Sequence, residues 1–387
     1  MPKKKVLVLY EYFYPGFKAG GPIQSLVNMV IAMQHKYDFY IATTAFDMQA
    51  KEPYKNVALN QWTDVVLSNN GLPVKVWYSA TPKPSFKELL QVIKTADCKT
   101  IYINGFYTHH FLFPLLFKKL GLLKNVDWIV APRGMLQQGA LQIRTFQKKV
   151  YFNAIRFFSL MKHVRFHATT KDEEIDTKKM FGNKVSVIVA ENIPKQPYKI
   201  CNQSNKQTST LKLVFLSLIT EKKNLLLMLQ VLEKCSNNIL LDIYGPIKDT
   251  IYWQQCLQAI QALPTNITAT YKGEVLPNNV QATFSQYDAM ILLTKGENFG
   301  HAIYESLSVG TPVIISHFTP WNNLQEKNAG WNVHINHQQE ICTLMNDLSK
   351  LDKTEWQHYC NGAWQLANDY YNTQQIEKTY CELFSFK

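Results

Sequence analysis

No two of the seven cysteines (Cys98, Cys201, Cys235, Cys256, Cys342, Cys360 and Cys381) stand in a C-x-x-C spacing, and their number is odd. The scatter argues against a disulfide framework and a structural zinc site, and a reducing cytoplasm is the expected compartment. Long hydrophobic runs are missing too. The longest clean one, FLFPLLF at Phe111–Phe117, falls far short of the ~20 residues that span a bilayer. The opening MPKKKVLVLYEYF reaches Glu11 too soon for a secretory apolar region of about 7–15 residues, so it reads as a first β-strand. H-E-x-x-H and Asp-x-Asp are absent, and the first strand is not followed by G-x-G-x-x-G. No metal site is expected, and a dinucleotide oxidoreductase is excluded. Nor is there a repeat or a low-complexity tract.

What is present is an ordinary globular composition: 387 residues, 46% hydrophobic, 18% charged, with a net charge of +12. At roughly 100–200 residues per domain, that length predicts two domains. Short β-branched runs alternate with helix-length amphipathic segments. Val6–Tyr10, Phe39–Thr43, Val74–Tyr78, Thr100–Ile103, Trp128–Ala131, Val164–Ala168 and Val185–Val189 read as strands. A second series follows at Lys212–Ser217, Leu240–Tyr244, Ala269–Tyr271, Met290–Leu293 and Val313–Ser316. Strands separated by helices predict parallel sheets in an α/β fold. Between the series lies the polar, aperiodic KQPYKICNQSNKQTST. The expected division is therefore a first domain over 1–195, a linker over 196–210 and a second domain over 211–387, whose last helix is free to cross back. Ligands of such folds bind at the carboxyl ends of the strands.

The charge is unevenly shared. Residues 1–195 hold 27 Lys+Arg against 13 Asp+Glu, a balance of +14, and residues 196–387 hold 14 against 16, a balance of −2. The excess is densest over Lys118–Lys171, where Asp127 is the only acid. A helix expected over Gln142–Met161 carries Ile143, Phe146, Val150, Ala154, Phe157 and Met161 on one stripe, read as core-facing. Arg144, Lys148, Lys149, Arg156 and Lys162 lie on the other half, with Phe152 and Ile155 expected to be exposed among them. That mixture suits an anionic membrane surface, the alternative being a solvated basic face. No motif supports nucleic-acid binding.

Chemistry concentrates in LTKGENFGHAIYESLSVGTPVIIS, Leu293–Ser316. A hydrophobic strand runs into Gly296, Glu297, Asn298, Phe299 and Gly300, then into a helix with Glu305. The glycines let backbone approach a ligand closely, and free N–H groups at a helix start attract anions. Glu305 sits among Ile303, Leu307 and Val309, in a helix too apolar to be a surface element, and buried carboxylates need partners.

Two glutamates separated by seven residues, Glu297 and Glu305, followed by S-L-S-x-G-T-P-V-I, resemble the donor-site motif of retaining glycosyltransferases of family four. Further likenesses are Gly20-Gly21-Pro22, APRGMLQQGAL (Ala131–Leu141), FLSLITEKKNL (Phe215–Leu225), IYGP (Ile243–Pro246) and KGEV (Lys272–Val275). The resemblance covers most of the chain and points to the bacterial cell-surface polysaccharide or lipopolysaccharide type. It implies an α/β GT-B fold of two facing Rossmann-like domains with a deep interdomain cleft. It also implies a retaining, metal-independent hexosyl transfer from a UDP- or GDP-linked nucleotide sugar, a co-substrate rather than a cofactor, to a glycan or lipid-linked acceptor. By resemblance, Glu297 holds hydroxyls of the transferred sugar, Glu305 the ribose and Lys223 the diphosphate. Gly20, Gly21, Gly134, Tyr244, Gly245, Pro246, Val275, Asn298, Phe299 and Gly300 line the donor. The family's arginine five residues before the lysine is Leu218 here, so Lys222 or Arg133 is a candidate replacement cation. Arg133, at a strand's carboxyl end, suits an electrostatic role, because a guanidinium clamps phosphate but is a poor proton carrier.

Tyr12, His109 and His110 are candidate acceptor contacts, being in the loops after the first and fourth of these strands. Asp172-Glu-Glu-Ile-Asp176 reads as the acidic first turn of a surface helix, and His334 with His337 as structural. Localisation at the inner face of the cytoplasmic membrane follows from the basic half. Two rival readings stay open: another GT-B nucleotide-sugar enzyme, an epimerase or phosphorylase, and an inactive sugar-nucleotide-binding or membrane scaffold protein.

Overall fold

The structure is a computed structural model and describes residues 3–68, 71–137, 145–198, 209–373 and 375–385. The chain forms two compact units, Met1–Ile193 with Gln375–Lys387, and Pro194–Gln374. The division thus falls at Ile193, not after residue 195. Most of the expected linker, residues 199–208, lies outside the described residues, and Thr210 already opens a strand.

The first unit runs β1 (Lys4–Leu9), α1 (Gly21–Met33), β2 (Tyr37–Thr44), β3 (Trp62–Val66), β4 (Pro73–Ser79), α2 (Phe86–Ala96), β5 (Thr100–Asn104), α3 (His109–Lys119), β6 (Asp127–Ala131), α4 (Thr145–Phe157), β7 (Val164–Ala168), α5 (Lys171–Phe181) and β8 (Ser186–Val189). The strand order is β3-β4-β2-β1-β5-β6-β7-β8, parallel except where β3 pairs antiparallel with β4. In β1, Val6 and Val8 enter one apolar cluster and Leu7 and Leu9 another. Covered on both faces, a parallel strand needs such an unbroken apolar run. The capping box of Ser85 and Glu88 starts α2, satisfying two otherwise orphan N–H groups.

The second unit runs β9 (Thr210–Leu216), a single 3-10 turn (Glu221–Lys223), α6 (Leu225–Leu232), β10 (Asn238–Tyr244), α7 (Thr250–Gln261), β11 (Ile267–Gly273), α8 (Val280–Phe284), β12 (Ala289–Leu292), α9 (His301–Leu307), β13 (Val313–Ser316), β14 (Gly330–Val333), α10 (Gln338–Lys350) and α11 (Lys353–Thr373). Its strand order is β11-β10-β9-β12-β13-β14, parallel throughout. The last helix, α12 (Ile376–Phe384), returns to the first unit. There Tyr380, Leu383 and Phe384 are buried with Val8 and Tyr102. The Tyr380 hydroxyl donates to the Glu191 carbonyl at 3.0 Å.

One helix is inverted relative to its sequence reading. Phe146, Val150 and Phe157 of α4, expected in the core, are 79%, 54% and 82% exposed. Phe152 and Ile155, expected outside, are buried at 3% and 2%. Phe152 packs its ring against Phe106 at 5.6 Å and Phe181 at 5.9 Å. The period was correct, but the helix carries two apolar stripes, and the aromatic side chains of the underlying layer select Phe152 and Ile155. Ile143 and Arg144 lie outside the described residues. The acidic turn of α5 is also not simply a surface feature: Glu173 is wholly buried.

Candidate active site

In the second sheet β9 lies between β10 and β12, so the chain's direction of winding reverses between β9 and β12. Ligands of doubly wound sheets bind at the carboxyl ends of strands beside such a switch point. The loop after β9 carries Lys223 and the loop after β12 carries Glu297, and the two side chains form an ion pair. Both are largely buried, at 18% and 10% side-chain exposure. The loops are stitched through their backbones: Lys295 N donates to the Lys222 carbonyl at 2.8 Å, and the Thr294 hydroxyl donates to it at 3.1 Å. Glu297 N donates to the Phe318 carbonyl at 3.0 Å.

Lys222 shares this corner. Its Cε lies 3.8 Å from where a Cβ on Gly296 would stand. Burial of its ammonium group lowers its pKa, Glu297 pulls it up and Lys223 pushes it down. Leu218, where the resembled family has arginine, is half-buried. Within this unit, the cation adjoining the Lys223–Glu297 pair is therefore Lys222.

Glu305, on α9, is 7% exposed. Its Oε1 is 2.6 Å from Lys195 Nζ, which also donates to the Pro277 carbonyl at 3.0 Å. The Tyr304 hydroxyl donates to the Lys195 carbonyl at 2.9 Å, and Tyr198 N to the Ser308 carbonyl at 3.2 Å. The segment that opens the second unit is thus laced along α9. Sequence reasoning missed Lys195 because nothing local ties it to a helix more than a hundred residues on.

The remaining donor candidates line a row of strand ends. Ser217 N donates to the Tyr244 carbonyl at 3.1 Å, Ile219 N to the Pro246 carbonyl at 2.9 Å, and Gly245 N to the Gly273 carbonyl at 2.9 Å. Gly245 has φ 135°, and a Cβ there would stand 1.9 Å from the Ser217 carbonyl oxygen, so the close approach requires glycine. The Tyr244 hydroxyl meets that of Tyr287 at 2.9 Å, and Tyr287 donates to Asp242 at 2.8 Å. Val275 packs at the edge of the core. Asn298 is half-buried, and Gly300 caps α9 with φ 79°. Phe299 is buried with its ring 5.6 Å from that of Trp321, whose Nε1 donates to the Phe299 carbonyl at 2.6 Å, so ring and carbonyl together anchor the loop.

The first unit gathers a second set. Arg133, with φ 55°, follows β6. It donates from Nε to Asn104 at 2.7 Å, from Nη1 to Asn192 at 2.5 Å and from Nη2 to the Tyr102 hydroxyl at 2.8 Å. His167 lies beyond. Its Nε2 is 2.8 Å from the Ala190 carbonyl, which only accepts, so Nε2 carries the proton and Nδ1 accepts from Tyr102 at 2.7 Å. Burial, then the Arg133 charge, hold the His167 pKa down to about 3, and burial pushes Tyr102 up to about 12. Glu173 accepts from Gly134 N and from Thr169 N at 2.7 Å. Sequence reasoning missed Tyr102, His167 and Asn192, and placed Glu173 on the surface; its position three residues after the cap Thr170 was the available signal.

Gly20 N-caps α1 with φ 74°, and Gly21 opens the helix. The loop before them is held by Asp47, whose carboxylate accepts from Phe17 N at 3.0 Å and Lys18 N at 3.1 Å. Tyr12 is half-buried, its ring edge-on to Tyr10 at 5.9 Å, and burial raises its pKa. His109 stacks on Phe113 at 4.7 Å. His110 corrects the sequence reading: it is 2% exposed and burial holds its pKa down to about 3, so it is a neutral core residue and not an acceptor contact. His334 stacks between His317 and His337, at 4.4 and 4.6 Å. Among the described residues no three of His, Cys, Asp and Glu gather as a metal-ligand set.

Two doubly wound units with largely parallel sheets form the GT-B fold, as their likeness to GT-B glycosyltransferase structures shows. Residues 199–361 match the family model described as glycosyl transferases group 1. Over 99% of both chains the fold matches the sucrose-phosphate synthase of Thermosynechococcus elongatus, with a TM-score of 0.72 at 12% identity. It also matches Anabaena Alr3699/HepE, solved with UDP and glucose, over 98% of this chain and 99% of that one, with a TM-score of 0.69 at 14% identity. A third match is WaaG, a glycosyltransferase involved in lipopolysaccharide biosynthesis, over 98% of both chains, with a TM-score of 0.63 at 12% identity. A comparison with curated protein sequences gives no match. The chain is a glycosyltransferase.

Proposed function

We propose a retaining, metal-independent glycosyltransferase of family four that moves a sugar from a UDP- or GDP-linked donor to a glycan or lipid-linked acceptor. Its setting is cell-surface polysaccharide synthesis at the inner, anionic face of the cytoplasmic membrane. The observation that carries this reading is the Lys223–Glu297 ion pair at the switch point of the second sheet. Glu297 binds hydroxyls of the transferred sugar, and Lys223 neutralises the diphosphate as the anomeric C–O bond breaks. Lys222 supplies the further positive charge that Leu218 does not. Glu305 takes the ribose, Tyr244, Gly245, Pro246 and Val275 neighbour the base, and Gly20, Gly21 and Gly134 offer backbone to the donor. Arg133 acts electrostatically and, through Asn104 and Asn192, keeps the strand ends of its unit in place. The leaving phosphate oxygen accepts the acceptor's hydroxyl proton as the new glycosidic bond forms on the same face. The enzyme's work is then positioning and stabilising leaving-group charge.

HepE was solved with UDP-glucose, which puts UDP-sugars first in a donor panel. A nucleotide sugar that binds the folded state raises its melting temperature, and UDP-, GDP- and ADP-sugars are compared on that basis. Glu297→Ala is expected to abolish nucleotide release from the sugar donor while the variant is still stabilised by free nucleotide. Transfer at the native rate in that variant refutes the site. The half-buried Leu218 favours the scaffold reading, which predicts stabilisation by nucleotide sugars with no turnover under any acceptor.

A further inference from the structure

We infer that the outward face of α4, built on Phe146, Val150 and Phe157, inserts into the interfacial layer of an anionic bilayer. At 100° per residue these three, with Asn153, fall within one narrow arc of the helix. The three apolar members are 79%, 54% and 82% exposed, and Phe158, just past the helix end, is 54% exposed. The opposite arc is buried through Phe152 and Ile155. The outward row is therefore in excess of what the core uses. Isolated exposed apolar residues are ordinary, but several large ones aligned on one helix face mark an interaction surface.

Charge selects the occupant. Lys149 and Arg156, both exposed, flank the row on one side. The Lys118 ammonium group donates to the Lys162 carbonyl, which ties the last turn of α3, and so the turn that follows it, to the turn after α4. That neighbouring turn adds Leu120 at 64% and Leu122 at 40% exposure, with exposed Lys119 and Lys124. Asp127, the only acid between Lys118 and Lys171, is half-buried at the start of β6. Aromatic and aliphatic side chains flanked by cations, in a stretch of sequence whose one acid is half-buried, complement acyl chains under anionic headgroups. The helix itself is too short to cross, and no described helix is long and apolar enough to do so.

This rests on the membrane setting proposed above but not on the donor site, and the two are read separately. The full chain is co-sedimented with vesicles of phosphatidylcholine and with vesicles of equal parts phosphatidylcholine and phosphatidylglycerol. The expected result is binding to the anionic vesicles alone, weakened by salt, and at least tenfold weaker in Phe146→Ser/Phe157→Ser. Phe157→Trp is expected to blue-shift in emission on adding those vesicles. Stabilisation by UDP-glucose, measured without vesicles, is expected to be unchanged in the serine variant, because its side chains lie outside the donor site. Native-like vesicle binding by the serine variant, with no shift in the tryptophan variant, overturns the α4 face. No binding by the native chain ends the membrane setting as well. Self-association lost in the serine variant, without lipid binding, assigns the row to a second copy of this chain and overturns the proposal.

Discussion

At the scale of single residues, each carboxylate of the proposed donor segment is already matched with a lysine: Glu297 with Lys223 and Glu305 with Lys195. The two pairs differ in what the reaction asks of them. Charge builds on the leaving diphosphate as the transition state is reached, so a cation there acts on kcat. Lys223→Met is expected to lower kcat by about a hundredfold or more, the scale set by losing one preorganised charge-stabilising group. Lys222→Met is expected to have a smaller effect in the same direction, measured as nucleotide released from the sugar donor. A wild-type rate in the double variant excludes both as leaving-group cations. The ribose, by contrast, is uncharged and changes little between ground and transition state. Lys195→Met removes the cation that holds Glu305 in place, and it is expected to raise the donor KM roughly tenfold with kcat little changed, the pattern of uniform binding. Lys195→Arg is expected to restore most of it. An equal fall in kcat instead places Lys195 in the chemistry.

At the scale of elements, α4 separates period from direction. Two of its apolar rows have the same 3.6-residue spacing, and only contact with Phe106, Phe111 and Phe181 makes one of them core. The energetic consequence is measurable. Phe152→Ala is expected to destabilise the protein by about 3–5 kcal/mol, as large-to-small core changes do. Phe157→Ser, on the exposed row, is expected to stay within about 0.5 kcal/mol of the native protein in urea unfolding. Reversed magnitudes would restore the direction first read from the sequence. The strands were more legible than the helix, because parallel strands covered on both faces announce themselves as apolar runs. Val6–Leu9 and Ala289–Leu292 needed no partner to be recognised. The glutamate segment stood out for a related reason: Gly296, Glu297, Gly300 and Glu305 lie within one short stretch. Lys195 and Asp47 did not, since each acts on groups brought to it by folding, whereas Glu173 carried a local signal in its spacing from the cap Thr170.

At the scale of the whole molecule, the two buried histidines of the first unit give its stability a pH dependence with a definite sign. His110 and His167 have folded pKa values near 3, below the unfolded value of about 6.5. The unfolded chain therefore takes up protons first as the pH falls. Their contribution is complete above about pH 6.5 and is lost progressively towards pH 3. The slope is about 1.4 kcal/mol per pH unit for each group, or about 2 kcal/mol each between pH 6.5 and 5. Urea unfolding at pH 7.5 and pH 5 is expected to show that loss, and His167→Gln to flatten it. An unchanged slope in the variant would mean that His167 is not the neutral link between Tyr102 and the Ala190 carbonyl. The positive charge is a whole-molecule property of the same kind: it belongs to one half of the chain, and over Lys118–Lys171 it accompanies an exposed apolar row.

The sequence by itself determined the α/β class, the order of two strand series and the glutamate segment, because hydrophobic period and glycine spacing are local and survive without partners. It also determined the asymmetry of charge, which is a matter of counting. Tertiary structure alone decided which stripe of α4 is covered, that α12 completes the first unit's core, that His110 is interior, and which lysine answers each carboxylate. Those outcomes depend on surfaces meeting across long separations in the chain, and burial and charge pairing are settled only where the surfaces meet.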